Sequence, residues 1–512
     1  MAESDVIDAP RHDASDGRAV PYLIEGRTGP WEVVIGLEVH AQIISSSKLF
    51  SRASTTFGAE PNSQVAPADA AMPGILPKLN AECVRQAVRT GLAINATINL
   101  QSDFDRKHYF YADLPTGYQI TQFYHPIVSD GWLEIETEEG GQQRIGIERI
   151  HIEQDAGKLV HDLSPTASYV DLNRAGIALM EIVSRPDIRS PAEAGAYVTA
   201  LRQIVRAVGS CDGNMQEGSL RADVNVSVRR PGEGFGTRCE IKNVNSIRFI
   251  QQAATYEAQR QVEVLESGGS IRQETRLFDP DLGETRSMRS KENAHDYRYF
   301  PDPDLPPLIL TPGFVEECRQ SLPEMPAARR ARYQQELGLG AYLAGVLTVD
   351  NATSDWFEEL LAATAALQKQ PLRDVAEKTA NWMTGELFAA LHRLELDISA
   401  SPVSAAQCAE LLALLADGTL SGPLGKQVFE IMLETRENPG QIAEQHGLKQ
   451  ISDSGALESV IADVLAGNAD KVAQYKSGKT KLFGFFVGQV MKASGGKANP
   501  KLVNDMLQKA LG

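Results

Sequence analysis

No run of about eighteen uninterrupted apolar residues occurs in the chain, so a membrane-spanning helix is not expected. Met1 to Arg27 is polar, acidic and Pro/Gly-bearing where a signal peptide would carry an apolar core, and is expected to be the disordered lead-in of a cytoplasmic protein. Cysteine is scarce. Cys83, Cys211, Cys239, Cys318 and Cys408 are scattered, odd in number and never spaced C-x-x-C, which argues against a disulfide framework and against a thiolate zinc site. Basic charge is also short: 50 Lys and Arg face 67 Asp and Glu, a net charge of −17, so any nucleic-acid contact would have to be local rather than spread over the surface. The common nucleotide loops are missing as well. Gly478-Lys479-Thr480 resembles the end of a Walker A motif, but Ala473 stands where its first glycine belongs and no apolar strand precedes it. Gly232, Gly234 and Gly236 lie between two strand-like segments and read as a hairpin turn. Any use of ATP would need a metal–carboxylate site.

What remains is an ordinary folded composition. Of 512 residues, 42% are hydrophobic and 23% charged, and the length suggests about three domains. From Trp31 to about Leu310 the pattern alternates with period two between Gly, Pro, Asn and Asp clusters, which predicts α+β organisation around a mostly antiparallel sheet. Within it, Ser190 to Val208 reads as a helix with Ser190 as cap, Pro191 in the first turn and Glu193 completing a capping box. Ser246 to Glu266 reads as another, ended by Gly268-Gly269. The composition shifts at Leu322 to Pro326, and amphipathic windows such as Ser354 to Leu367 and Asp374 to Leu394 follow, so the second half is expected to be all-α. The expected division is a disordered extension at 1–28, an α+β domain at 29–320, a helical domain at 321–443 and a helical tail module at 444–512.

Alternation also groups the polar residues. In Glu32 to His40, Val33, Ile35, Leu37 and Val39 share one strand face and leave Glu38 and His40 on the other. Ile145 to Glu153 groups Arg149, His151 and Glu153, just ahead of Asp155 and Lys158. Leu220 to Arg229 groups Arg221, Asp223, Asn225 and Ser227, and the next strand groups Arg238, Glu240 and Lys242. Glu181 stands inside the apolar run Ile177 to Val183, where a carboxylate needs a cation or a hydrogen-bond donor. Taken one at a time, each of these is also the solvated side of a half-exposed strand. Together they are what a magnesium–nucleotide site demands, since hard cations prefer carboxylate oxygens and basic side chains balance phosphate. Asp105 to Tyr111 and Asp296 to Pro301 interleave basic and aromatic residues, which suits either base stacking or strand packing. From Lys471 to Gly512, Lys471, Lys476, Lys479, Lys481, Lys492, Lys497, Lys501 and Lys509 meet only one acid, Asp505, which suits phosphate contact.

Several of these stretches resemble one known family, the B subunits of the aspartyl/glutamyl-tRNA amidotransferases. The resemblance rests on Val34 to His40, Phe57 to Asn62, Phe104 to Lys107 with Tyr109 to Tyr111, Glu153 to Lys158, Val170 to Arg174, Glu217 to Arg221 and Asp296 to Pro301, in that order. It implies a cradle domain, a helical domain and a tail that meets tRNA. It also implies a two-step reaction on misacylated Glu-tRNA(Gln) or Asp-tRNA(Asn): ATP phosphorylates the side-chain carboxyl, then ammonia displaces phosphate. Carried over, the metal site falls on Glu38, His40, Glu153, Glu181 and Glu240, with Glu217 as a further catalytic residue. Lys158, Arg221, Asp223, Lys242 and Asn245 are implied at the ATP and Mg²⁺ site. Gln154 stands where the family is expected to have a second acid, so it is not expected to be a ligand. The chain has no Gly-Gly-Ser-Ser stretch of the amidase type, so the implied partners are an amidase, the A subunit, as ammonia source and the small C subunit. Two other readings keep the same polar face: a noncatalytic tRNA-binding scaffold with a structural metal, and a metal-dependent phosphohydrolase.

Overall fold

Burial follows the alternation. In the strand Gly29–Gln42, Val33, Ile35, Leu37, Val39 and Ala41 are at most 1% exposed, while Glu38 and His40 lie on the opposite face. The chain is seen here in a computed structural model that describes residues 22–137, 140–288, 297–450, 454–494 and 497–512. Residues 1–21 of the expected lead-in and Asp296 of the second aromatic–basic stretch lie outside the described residues. The chain forms two compact units, Met1–Met325 and Pro326–Gly512.

The strands of the first unit are, in chain order, β1 Leu23–Gly26, β2 Gly29–Gln42, β3 Thr97–Ile98, β4 Gln101–Ser102, β5 Asp105–His108, β6 Tyr118–Thr121, β7 Val128–Glu136 and β8 Gln142–Gln154. They continue as β9 Lys158–Val160, β10 Tyr169–Asp171, β11 Ala178–Ser184, β12 Leu220–Arg229, β13 Cys239–Val244, β14 Thr275–Asp279, β15 Glu284–Ser287, β16 Phe300–Pro301 and β17 Leu308–Ile309. A ten-stranded sheet runs in the order β15-β14-β13-β12-β2-β11-β8-β7-β3, with β1 paired to β2. Every pairing in it is antiparallel except β13 with β14. β1 was expected within the disordered lead-in; instead it closes a tight hairpin whose Gly29 has φ 120°, a backbone that favours glycine.

Three helices cover the apolar face: α1 Ala81–Ala93 against β7 and β8, α2 Pro191–Val208 against β7 and β2, and α3 Ile247–Glu266 against β12, β13 and β2. Tyr197, Leu201, Ala87 and Ala254 join Ile35 and Val39 in one core. Ser190 and Ser246 cap α2 and α3 by accepting from the N–H groups of Glu193 and Phe249. Glu193 reaches back to the N–H of Arg189, one residue beyond the partner a capping box would use. Since the helices take one face, the polar residues of β2, β8, β11, β12 and β13 are left on the other. A small sheet, β16-β5-β6, abuts β8 there.

In the second unit, helices at Asn351–Gln368, Leu372–Trp382, Phe388–Arg393, Ala405–Ala416 and Gly422–Thr435 enclose a core that includes Phe357, Leu360, Met383 and Val428. The window expected at 374–394 is helical from Leu372 to Arg393 and contains one wide turn, Met383–Leu387, where Thr384 Oγ1 donates to the Ala380 carbonyl and Gly385 supplies no side chain. Helices Ser454–Ala466, Ala469–Lys476, Phe483–Ala493 and Pro500–Leu511 pack on a separate cluster with Leu457, Phe486, Val490, Val503 and Leu507. Gly478, φ 108°, ends one of these helices, so the Gly-Lys-Thr stretch is a helix end and not a phosphate loop. Among the described residues, no helix is long and apolar enough to cross a membrane.

Candidate metal and nucleotide site

The central strands bring together side chains that are far apart in sequence. Register sets Glu181 on β11 opposite His40 on β2 on one side and opposite His151 on β8 on the other. His40 is also opposite Arg221 on β12, Glu38 opposite Asp223, and Asn225 opposite Glu240 on β13. At the centre, Glu181 Oε2 lies 3.3 Å from His40 Nε2 and 3.4 Å from His151 Nε2. Glu153 Oε2 lies 3.6 Å from His151 Nε2 and accepts from Thr121 Oγ1 at 3.2 Å. His40, Glu153 and Glu181 each offer a ligand atom, all within 4.8 Å of one another.

Beside this buried centre lies a second, half-exposed group. Glu38 accepts from Asn225 Nδ2 at 3.1 Å, and Lys242 Nζ lies 2.9 Å from Asp223 Oδ2 and 3.2 Å from Glu240 Oε1. Glu240 also accepts from Thr275 Oγ1 on β14. Arg221 reaches Asp155 Oδ2 at 3.0 Å, which Gln42 also engages.

The electrostatics follow from charge held out of water. Burial works against a charged His151, but the Glu181 and Glu153 carboxylates outweigh it and push the imidazole up to about 9. His40 is raised for the same reason, chiefly by Glu181. Burial alone would raise Glu153 and Glu181; the hydrogen bond from His151 turns Glu153 downward, and His151 with His40 holds Glu181 well below the usual range. Glu38 goes the other way, because burial and the charges of Glu181, Glu240 and Asp223 all favour its neutral form. Lys107, on β5, is raised against its own burial by Glu153, Tyr299 and Glu181, so it faces the cluster as a cation.

Eight of the residues drawn from the sequence thus share one face: Glu38, His40, Glu153, Glu181, Arg221, Asp223, Glu240 and Lys242. Three do not join the cluster. Glu217 is exposed in the turn before β12. Lys158 is exposed on β9, which among the described residues pairs with β10 alone, in a separate two-stranded sheet. Asn245 is exposed just ahead of α3 and lines a cavity of about 490 Å³ with Arg202, Arg206 and Asp212. Lys107, Thr121 and His151 were missing from the set of site residues drawn from the sequence. For His151 the alternation with Glu153 was a usable signal; Lys107 was marked only by the aromatic–basic stretch around it, and nothing local marks Thr121, since both arrive on the small sheet.

Residues 33–316 match the family model described as the GatB/GatE catalytic domain, and residues 355–511 match the GatB domain model. The chain is similar to proteins named as the B subunit of aspartyl/glutamyl-tRNA(Asn/Gln) amidotransferase. That of Zymomonas mobilis is 66% identical over 490 residues, spanning 96% of this chain and 99% of the relative. That of Granulibacter bethesdensis is 60% identical over 491 residues, spanning 96% of this chain and the whole of the relative.

Proposed function

The chain belongs to the family of aspartyl/glutamyl-tRNA(Asn/Gln) amidotransferase B subunits, and from that premise we propose that the polar face of its ten-stranded sheet is where ATP activates a tRNA-borne carboxyl group. It is one component of a multi-subunit, ATP-dependent amidotransferase that transamidates misacylated tRNA. In the proposed reaction the γ-phosphoryl group passes from ATP to a side-chain carboxylate oxygen of Glu-tRNA(Gln) or Asp-tRNA(Asn), and ADP leaves. Ammonia then attacks the acyl carbon, the C–O bond to phosphate breaks, and the amide remains.

One observation carries this reading: His40, Glu153 and Glu181 converge from three adjacent strands with ligand atoms within 4.8 Å. Two carboxylates and an imidazole fit a divalent cation, with oxygen donors suited to Mg²⁺ and the imidazole equally suited to Mn²⁺. His40, Glu153 and Glu181 would hold Mg²⁺, with Glu38 and Glu240 as the neighbouring carboxylates. Bound there, Mg²⁺ supplies charge neutralisation between the substrate carboxylate and the triphosphate. Arg221, Lys107 and Lys242, the last kept charged by Asp223 and Glu240, are cations at the cluster that could meet phosphate oxygens. The remaining assignments belong to the same proposal: the amidase A subunit as ammonia source, the small C subunit as stabilising partner, the cytoplasm as compartment, and the C-terminal lysines as tRNA contacts. A split of the helical half into two modules, as in the proposed division at 321–443 and 444–512, is supported by the two separate cores of the second unit, though the first of these cores reaches Leu448.

The test is conversion of Glu-tRNA and Asp-tRNA by the assembled complex with ATP and free ammonium. Glu153→Ala and Glu240→Ala are expected to abolish conversion while tRNA still binds. Unchanged conversion in both variants would leave only a scaffold, and rapid ATP hydrolysis without tRNA would point to a phosphohydrolase.

A further inference from the structure

His151 lies closer to the centre of the cluster than most of the residues the family resemblance points to. Its side chain is 7% exposed, and its Nε2 sits between Glu181 Oε2 at 3.4 Å and Glu153 Oε2 at 3.6 Å. With a carboxylate oxygen on each side, Nε2 carries the proton whether the ring is charged or neutral. The other nitrogen, Nδ1, is buried and has no hydrogen-bond partner among the described residues. A histidine retained for packing is ordinarily satisfied at both nitrogens, because a buried unpaired polar atom is costly. Here only the end that faces the two carboxylates is engaged, so the side chain's work is done at that end.

Those carboxylates need such a group. Their terminal torsions have broad wells, and two anions sharing a buried space repel, so without an N–H between them they would turn apart. Backbone register fixes the arrangement: Glu181 is held across β11 between His40 and His151, whereas Glu153 is two residues along β8 from His151 on the same face. We infer that His151 is a positioning residue whose Nε2–H holds Glu153 and Glu181 in the orientation in which, together with His40, they receive a divalent cation. It acts through those two ligands. The inference rests on the reading of the cluster as a cation site.

The experiment is a Mn²⁺ titration of the assembled complex, without ATP or tRNA, followed by electron paramagnetic resonance. Removing a group that orients metal ligands typically costs 10- to 100-fold in affinity, and His151→Leu is expected to weaken Mn²⁺ binding by about that factor. His151→Gln returns an N–H near the position of Nε2 and is expected to restore most of the affinity. In turnover, His151→Leu should raise the KM for ATP–Mg²⁺ more than it lowers kcat at saturating metal. Wild-type Mn²⁺ affinity in His151→Leu, or equal weakening in His151→Gln, would overturn the inference. If His151→Leu fails to assemble, His151→Gln against His151→Asn decides, since Asn carries its N–H at the wrong end of the ring's footprint; equal affinities would refute the role. A His40→Ala control separates the two claims: if it too leaves Mn²⁺ binding unchanged, the cluster is not a cation site and the reading beneath this one falls.

Discussion

Glu153, Glu181 and His151 are each less than a tenth exposed, whereas Lys476, Lys479, Lys481, Lys492 and Lys501, in the last helices of the second unit, stand in solvent. Binding is proposed for both groups of charge, yet they obey different physics. Charge removed from water must be matched by fixed partners, so the buried set is held by strand register and its protonation is strongly shifted. The exposed lysines keep their hydration, and counterions screen them within about 8 Å at physiological salt. The first arrangement can distinguish one atom's position from another's. The second can attract phosphate but carries little geometry.

The comparison is broken most forcefully at its buried end. Glu181→Ala removes the carboxylate shared by both imidazoles and is expected to lower ATP-dependent transamidation by about 10³-fold or more, with tRNA affinity retained. A fall in activity of less than tenfold would mean that fixed charge is not what the site uses. Stability offers the next test. Lys48 and Asp69 form a buried pair at 3.1 Å, and burial already lowers the Lys48 ammonium. Asp69→Asn removes that ammonium's contacting counter-charge, and chemical denaturation should report a loss of about 3 kcal/mol. A loss below about 0.5 kcal/mol would place this pair with the surface charges. A smaller effect belongs to Glu257, fully buried with Arg260, Gln261 and Thr285 as donors, whose carboxyl is held below its usual range. A folded-state value below the unfolded one gives stability that is present above the unfolded pKa and lost as pH falls through the folded pKa. The thermal midpoint of the wild type should therefore drop more steeply below about pH 4.5 than that of Glu257→Gln; parallel acid limbs would contradict the assignment.

How far each group could be read from sequence follows from the same contrast. Period two in β2 and β12 put Glu38, His40, Arg221 and Asp223 on the polar face because the alternate positions are apolar and buried, and Glu181 was conspicuous inside an apolar run. What alternation cannot supply is strand order. Nothing local says that β11 lies between β2 and β8, or that β12 pairs with β2 across roughly 180 residues, so the convergence of His40, His151 and Glu153 on Glu181 had to come from tertiary structure. Lys107 was legible only as part of an aromatic–basic stretch, and its approach to Glu153 depends on where the β16-β5-β6 sheet docks. Asn245 is the reverse case. It follows Lys242 closely in sequence, but β13 ends at Val244 and the chain turns into α3, which carries Asn245 away from the sheet face.

The exposed end of the comparison is sharpened by substitution rather than deletion. Removing residues 471–512 would strip Phe486, Val490, Val503 and Leu507 from the core that also holds Leu457 and Ile461, so lost tRNA binding would not distinguish missing charge from an unfolded module. Lys476, Lys479 and Lys481 are exposed around one helix end, and replacing all three with Ser leaves that core intact. Each lysine that neutralises a phosphate contributes nearly one counterion to the salt dependence, so the slope of log affinity against log salt should fall by about one for each lysine that makes contact, up to roughly three. ATP-dependent activation at saturating tRNA should not change, because no bond in the sheet cluster depends on these residues. An unchanged slope would remove this face from the RNA interface. A changed slope accompanied by lost activation would instead mean that the exposed lysines do more than attract phosphate, and the contrast between fixed and screened charge would no longer describe how this chain divides its work.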